Sequence, residues 1–434
     1  MHLLTRRTAF AAALLYFPAC AASAPAASTA TADASATTDG AATADGAVGG
    51  DAAAGGGDTS AGETATGSDA SADASADTAS STGTPFGVGL LKVEVAGPGG
   101  RKLPTSIWYP TAVGAKGTAV SYGFGLFPSP LGAQEGVAPA KGPFPTVAFS
   151  HGNQGVPEQS VFLTEGLAAR GYVVVAPEHI GNSFTTFDEK LFAAVTLWRP
   201  KDLSAAVDRL TKPQAGDPPW LAGLADTEKL AVTGHSFGGY TSLAFAGIVV
   251  SPPASAMPKC EGVAKGDPVC DAVAAAGPPP WNLGDPRCDV AIPLAHALTA
   301  GFDVKSLAGH KVPIVLAAAT GDKLTPYKAE AEAAYKAMQP PKALLTLTGG
   351  DHFSFAQACE LAAVAPANLK ADLEKLCKPG AVPTIADSHT ATLFTTLAAC
   401  DLYLKGDEAA RATFANGSFA GLNGISMASE GIVK

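Results

Sequence analysis

Lys229-Leu230-Ala231-Val232-Thr233 runs directly into Gly234-His235-Ser236-Phe237-Gly238-Gly239. The first five residues are a short, largely apolar run of the kind that forms a strand buried on both faces. The residues after Gly239 read as a helix to about Val250. A Gly-x-Ser-x-Gly pattern is weak evidence in a chain with 48 glycines. Its setting gives it weight: strand before, helix after, with glycines two residues either side of Ser236 leaving room for a sharp turn. A serine at such a turn projects from the end of the strand, which makes Ser236 a candidate nucleophile.

Outward from this turn the same alternation recurs. Strands are expected at 88–95, 103–109, 145–150, 172–176, 290–294, 313–319 and 343–347, with helices at 157–170, 199–210 and 390–404. Gly171 supplies a natural helix stop. Short apolar strands alternating with helices predict a mostly parallel sheet covered on both faces. In such sheets, ligands gather at the carboxyl ends of the strands. Two segments interrupt the pattern, 251–288 and 355–389, and are expected to lie over that edge as part of a lid. No internal repeat is present.

The strand-end loops hold the remaining chemistry. A serine hydroxyl needs a base, and the base needs a third group to orient it. Thr320-Gly321-Asp322 follows one predicted strand and Gly349-Gly350-Asp351-His352-Phe353 follows the next. The order Ser236, Asp322, His352 is the one this motif calls for. Asp351 is the main rival acid and Asp303 a remoter one; His296, His310 and His389 are read as solvent-facing or structural. For a developing oxyanion, the expected backbone N–H donors are Phe237, next to the nucleophile, and Asn153, in the loop Ser150-His151-Gly152-Asn153.

Together Ser150-His151-Gly152, Pro177-Glu178-His179, Arg199-Pro200-x-Asp202, Gly234-His235-Ser236-Phe237-Gly238-Gly239 and Gly350-Asp351-His352-Phe353 resemble the platelet-activating-factor-acetylhydrolase-like group. That group includes bacterial proteins labelled predicted dienelactone hydrolases and is related to secreted cutinase-like polyester hydrolases. Ile107-Trp108-Tyr109-Pro110 fits as well, so the likeness covers roughly residues 86–406. It implies an α/β-hydrolase fold and a carboxylic-ester hydrolase with a Ser/Asp/His triad, and it supports the roles given to Asn153 and Phe237. Ser236 stands where true dienelactone hydrolases carry cysteine, and where haloalkane dehalogenases carry aspartate. Arg199 and Asp202 are read as a structural ion pair at a helix start. An amidase or peptidase using the same groups, a polyester hydrolase, and a non-catalytic binding protein on this scaffold are the competing functional readings.

The flanks set the rest. Residues 1–20 pass from Arg6-Arg7 through the apolar stretch 9–17 to Pro18-Ala19-Cys20, the three-part shape of a secretory signal and too short to span a bilayer. Cys20 is a candidate lipid-modified residue, which would tether the chain to a membrane; a small-x-small cleavage site at Ala22-Ser23-Ala24 would release it instead. Thr5-Arg6-Arg7-Thr8 is similar to a twin-arginine signal, with Phe10 one place late. Residues 21–84 hold no aromatic residue, and such an Ala/Ser/Thr/Gly/Asp segment cannot bury enough surface to offset its ordering entropy. It is expected to be a linker, with one catalytic domain over 85–434. Of the net charge of −10, residues 1–20 carry +2 and residues 21–84 carry −9, which leaves −3 for the domain. No basic stripe suits nucleic acid. No cofactor and no metal is implied, since no Cys/His spacing fits zinc. After Cys20 come Cys260, Cys270, Cys288, Cys359, Cys377 and Cys400, an even set that favours disulfides in an exported protein. Cys260–Cys270 and Cys359–Cys377 are the first pairings expected, then Cys288–Cys400 by elimination; a buried free thiol is the alternative for Cys400.

Overall fold

The computed structural model describes residues 85–433, except 124, 366–369, 372, 375–381 and 420. The expected signal, the linker, Cys20 and Cys377 lie outside the described residues. Nine principal strands form the centre: β1 (Gly87–Ala96), β2 (Lys102–Thr111), β3 (Phe144–Ser150), β4 (Val173–Pro177), β5 (Ala225–His235), β6 (Cys288–Leu294), β7 (Ile314–Ala319), β8 (Lys342–Leu347) and β9 (Ile425–Glu430). They lie in the order β9-β8-β7-β6-β5-β3-β4-β2-β1, with shorter strands at both margins. From β4 through β3, β5, β6, β7 and β8 every pairing is parallel. The pairings β1–β2, β2–β4 and β8–β9 are antiparallel. The mostly parallel sheet expected from the alternation is therefore present. Strand β9 is not among the strands expected from the sequence, because Ile425-Ser426-Met427-Ala428-Ser429-Glu430 lies towards the sheet margin and buries only two apolar residues, Ile425 and Met427.

Alternation along each strand divides the core into two layers. Val174 and Ala176 of β4 and Val147 and Phe149 of β3 meet α1 (Val161–Ala168) and the long C-terminal helix Ile385–Lys405. Val173, Val175 and Ala148 face the other way, against α2 (Phe192–Thr211) and α3 (Phe237–Phe245). Residues two apart share a face and neighbours oppose, as the pleat requires. Helix α2 begins seven residues before the sequence suggested and carries Pro200 in its interior.

Three expectations are corrected. Segment 251–288, with α4 (Pro268–Ala276), packs beside α2 and contributes nothing to the wall of the cleft described below. Its Val250–Trp281 bridge and buried Trp281 and Leu283 tie it to the helical layer instead. Cys288 and Cys400 are free buried thiols, not a pair: Cys288 opens β6 and Cys400 sits inside the C-terminal helix, each enclosed by apolar side chains. Cys260–Cys270 is bridged as expected. Cys359 is also disulfide-bonded, and its expected partner Cys377 falls outside the described residues. Finally, Arg199 and Asp202 lie in the middle of α2, and Asp202 pairs with Arg101 rather than with Arg199.

Candidate active site

At the end of β5 the chain reverses into α3 through Ser236, whose φ is 61° and ψ −118°. A non-glycine residue held there is strained, and the surroundings must enforce it. They do so at two glycines. A Cβ on Gly238 would lie 1.9 Å from the carbonyl oxygen of Ser150, and one on Gly234 would lie 2.6 Å from the same oxygen. The Ser236 N–H is tied to the Leu294 carbonyl at 2.8 Å, fixing the turn to the end of β6. Ser236 is buried, and its Oγ has no hydrogen-bond partner among the described residues.

His352 opens a short 3-10 turn after β8, and Asp322 follows β7. His352 Nδ1–H donates to Asp322 Oδ2 at 2.7 Å. The other carboxylate oxygen accepts from the backbone N–H groups of Leu324 and Thr325, both at 2.8 Å, and Thr325 Oγ1 lies 2.6 Å from Oδ2. Burial opposes ionisation of Asp322, but His352 and these hydrogen bonds outweigh it and hold its pKa below the usual carboxylate range. The rivals are spent elsewhere: Asp351 caps the turn that carries His352, and Asp303 caps a short helix at 304–308. No hydrogen bond joins Ser236 Oγ to His352, a contact that often tightens only in the substrate complex.

Beside Ser236 lies the loop Gly152–Gly155. Among the described residues no protein acceptor takes the backbone N–H of Asn153 or of Phe237. Beneath this loop Ser150, His151, His179, Arg199 and Asp202, singled out in the sequence as separate motifs, come together with Asn182 in one buried polar cluster. Arg199 donates to the His151 carbonyl, to Ser150 Oγ at 3.0 Å and to Asn182 Oδ1 at 2.7 Å, while Asn182 Nδ2 donates to Asn153 Oδ1 at 2.6 Å. His179 Nδ1–H donates to Asp202 Oδ2 at 2.9 Å, and Asp202 also meets Arg101 at 2.5 Å. Burial lowers the Arg199 pKa to about 9 and raises that of Asp202 to about 6. His296, His310 and His389 are buried, which rules out the solvent-facing alternative.

Ser236, His352, Asn153 and Gly152 border one cleft of about 680 Å³. Tyr122, Phe127, Phe353, Leu361 and Leu373 line its apolar side, and Ser106, Glu158, Glu178 and Thr185 its polar side. Segment 355–389 thus reaches the cleft, as expected of it; residues from 92–127 also line it, a contribution that the strand-end pattern did not foretell. Among the described residues no cluster of His, Cys, Asp or Glu could hold a metal ion, and no helix is long and apolar enough to cross a membrane.

Sheet order, strand-end loops and elbow together define an α/β-hydrolase fold. Comparisons with known proteins agree at that level. Residues 131–267 match the chlorophyllase family model, a stretch that includes the Gly152–Gly155 loop and Ser236 but ends before Asp322 and His352. The structure is similar to that of a ferulic acid esterase from Streptomyces cinnamoneus, with a TM-score of 0.51 at 23% identity over 74% of this chain and 91% of that one. No curated protein matches the chain. Neither finding names the platelet-activating-factor-acetylhydrolase-like group; the hydrolase fold is what they share with that resemblance.

Proposed function

We propose that the chain is a serine carboxylic-ester hydrolase working through an acyl-enzyme. The observation that carries this reading is Ser236, strained at the turn with a buried Oγ that has no partner among the described residues, in the same cleft as His352, which is bonded to Asp322. Ser236 Oγ attacks the ester carbonyl while His352 Nε2 takes its proton. Asp322 holds the imidazole with Nδ1 protonated, leaving Nε2 free to act as base. The carbonyl oxygen, now an anion, is received by the N–H groups of Asn153 and Phe237. His352 returns the proton to the leaving alcohol, and water then releases the acid by the same steps. The apolar wall suits the acyl part of a short-chain or lipid-like ester. The chlorophyllase and ferulic acid esterase likenesses favour ester over amide substrates. Residues 1–20 fit export, with Cys20 as a membrane tether, and 85–434 as the catalytic domain behind a linker.

The test is hydrolysis of p-nitrophenyl esters from acetate to palmitate, with Ser236→Ala alongside. Turnover falling by about 10⁴-fold or more in a variant that melts like the parent is expected. Folded protein inert towards every chain length would favour a binding role instead.

A further inference from the structure

Between the loop at Gly152 and the loop at His352 runs a chain of side-chain hydrogen bonds that the acyl-transfer steps do not use. The Gly152 N–H donates to Gln159 Oε1 at 2.8 Å. Gln159 Nε2 lies 2.9 Å from His235 Nδ1, and His235 Nε2 lies 2.8 Å from the carbonyl oxygen of His352. The directions follow from chemistry. A carbonyl oxygen can only accept, so His235 Nε2 carries the hydrogen and Nδ1 accepts from the Gln159 amide. That amide then presents its oxygen to Gly152, which is the orientation the Gly152 N–H requires. Every member has one consistent role, and none can be reversed alone.

The fit is also steric. A Cβ on Gly155 would lie 2.2 Å from Gln159 Oε1, so the loop closes tightly over the amide. His235 is buried, with its ring centroid 4.6 Å from that of His352 and further aromatic contacts to Phe353 and Phe355. We propose that Gln159 and His235 are positioning residues that hold the Gly152–Asn153 loop and the His352 loop in one register around Ser236. The proposal rests on the acyl-transfer reading, in which Asn153 N–H and His352 must address opposite sides of one reacting carbonyl. Geometry of this kind matters: a displacement of about 1 Å can cost about 100-fold in rate.

The bridge exists in one proton state only. Were His235 protonated, Nδ1–H would face the Gln159 amide hydrogens, and turning the amide would abandon Gly152. The titratable groups facing His235 are His352 and Asp322. Burial first, then the neighbouring His352, lowers the His235 pKa to about 3, so the ring stays neutral over the working range.

Three variants of the full chain test this with a p-nitrophenyl ester. Gln159→Leu and His235→Phe should each lower kcat by about 10- to 100-fold with KM within about twofold. Gln159→Glu keeps the acceptor for Gly152 and nearly the same shape, but asks His235 Nδ1 to carry a proton. Its kcat should therefore rise towards low pH through an ionisation that neither the parent nor Gln159→Leu shows, a readout that a purely structural role would not move. Ring ¹⁵N spectra of the parent should show His235 neutral with the hydrogen on Nε2 from pH 5 to 9. An active parent whose three variants keep kcat within twofold, or a His235 ring protonated on Nδ1, overturns the positioning role and leaves the acyl-transfer reading standing. A parent that hydrolyses no ester overturns both.

Discussion

Asp322 is held from two directions at once. Oδ1 takes two backbone N–H groups and Oδ2 takes the His352 ring hydrogen, so the two oxygens are not interchangeable. In Asp322→Asn the side-chain oxygen must stay on the backbone donors, which turns the amide NH₂ towards His352 Nδ1. The imidazole then has to accept there and carry its hydrogen on Nε2, the wrong tautomer for a base. Expected is a fall in kcat of about 10⁴-fold with little change in melting temperature; a loss under tenfold would move the acid role to another carboxylate. Ser236, Asp322 and His352 were legible because each ends a strongly apolar strand beside glycine, a local pattern that a single sequence displays. Gln159 and His235 were not, although His235 lies inside the motif. A glutamine in a polar loop carries no periodic signal, and its partners stand 7, 76 and, through His235, about 200 residues away along the chain.

Elements decide which side chains wall the cleft, and here the insertions divide. The 251–288 segment packs on the helical layer, whereas the loop at 121–131 forms a wall through a buried carboxylate: Tyr122 Oη donates to Glu165 Oε1 at 2.6 Å, and Ser129 Oγ and the Leu131 N–H donate to Oε2, both at 2.8 Å. Two variants should therefore behave differently. Cys260→Ala with Cys270→Ala opens a loop of sequence separation 10 and should lower stability by about 2–3 kcal/mol, with kcat/KM within twofold. Glu165→Gln places an NH₂ against donors, costs about 1–3 kcal/mol, and should raise KM severalfold as the wall loosens. Thermal melts and ester kinetics on both variants check this. A tenfold loss of kcat/KM in the cysteine variant would mean that 251–288 reaches the substrate after all. Composition identified both insertions as departures from the strand–helix alternation but held no information on which layer each would join. That depended on Trp281 and Leu283 finding a place against the helices, a long-range packing outcome.

At the scale of the whole molecule, the buried histidines couple stability to pH. Burial, with Arg199 and a second positive or polar neighbour contributing, holds His151 and His179 well below the usual imidazole range, and burial lowers His235 to about 3 and His296 to about 4. Unfolding returns each to an ordinary value near 6.5. The sign follows: between these values the unfolded chain binds more protons than the native one, so stability is full above about pH 6.5 and is lost as pH falls towards the native values. His235 and His296 each contribute about 2 kcal/mol to that loss by pH 5, and His151 and His179 act in the same direction. Asp202 acts in the opposite sense. With its pKa raised to about 6 by burial, it takes up a proton in the native state first and returns roughly 1 kcal/mol over the same interval. Glu165 and Asp289, whose carboxyls burial also raises, act with Asp202, but the four histidines outweigh them, so the melting temperature should drop by several degrees from pH 7 to pH 5. His296 is the member to remove, since its Nδ1 has no partner among the described residues and its ring lies outside the cleft. His296→Leu should make the melting profile measurably flatter while leaving ester turnover at pH 7 intact. A profile that is level between pH 7 and 5, or that rises on acidification, would show that these histidines are protonated in the native fold.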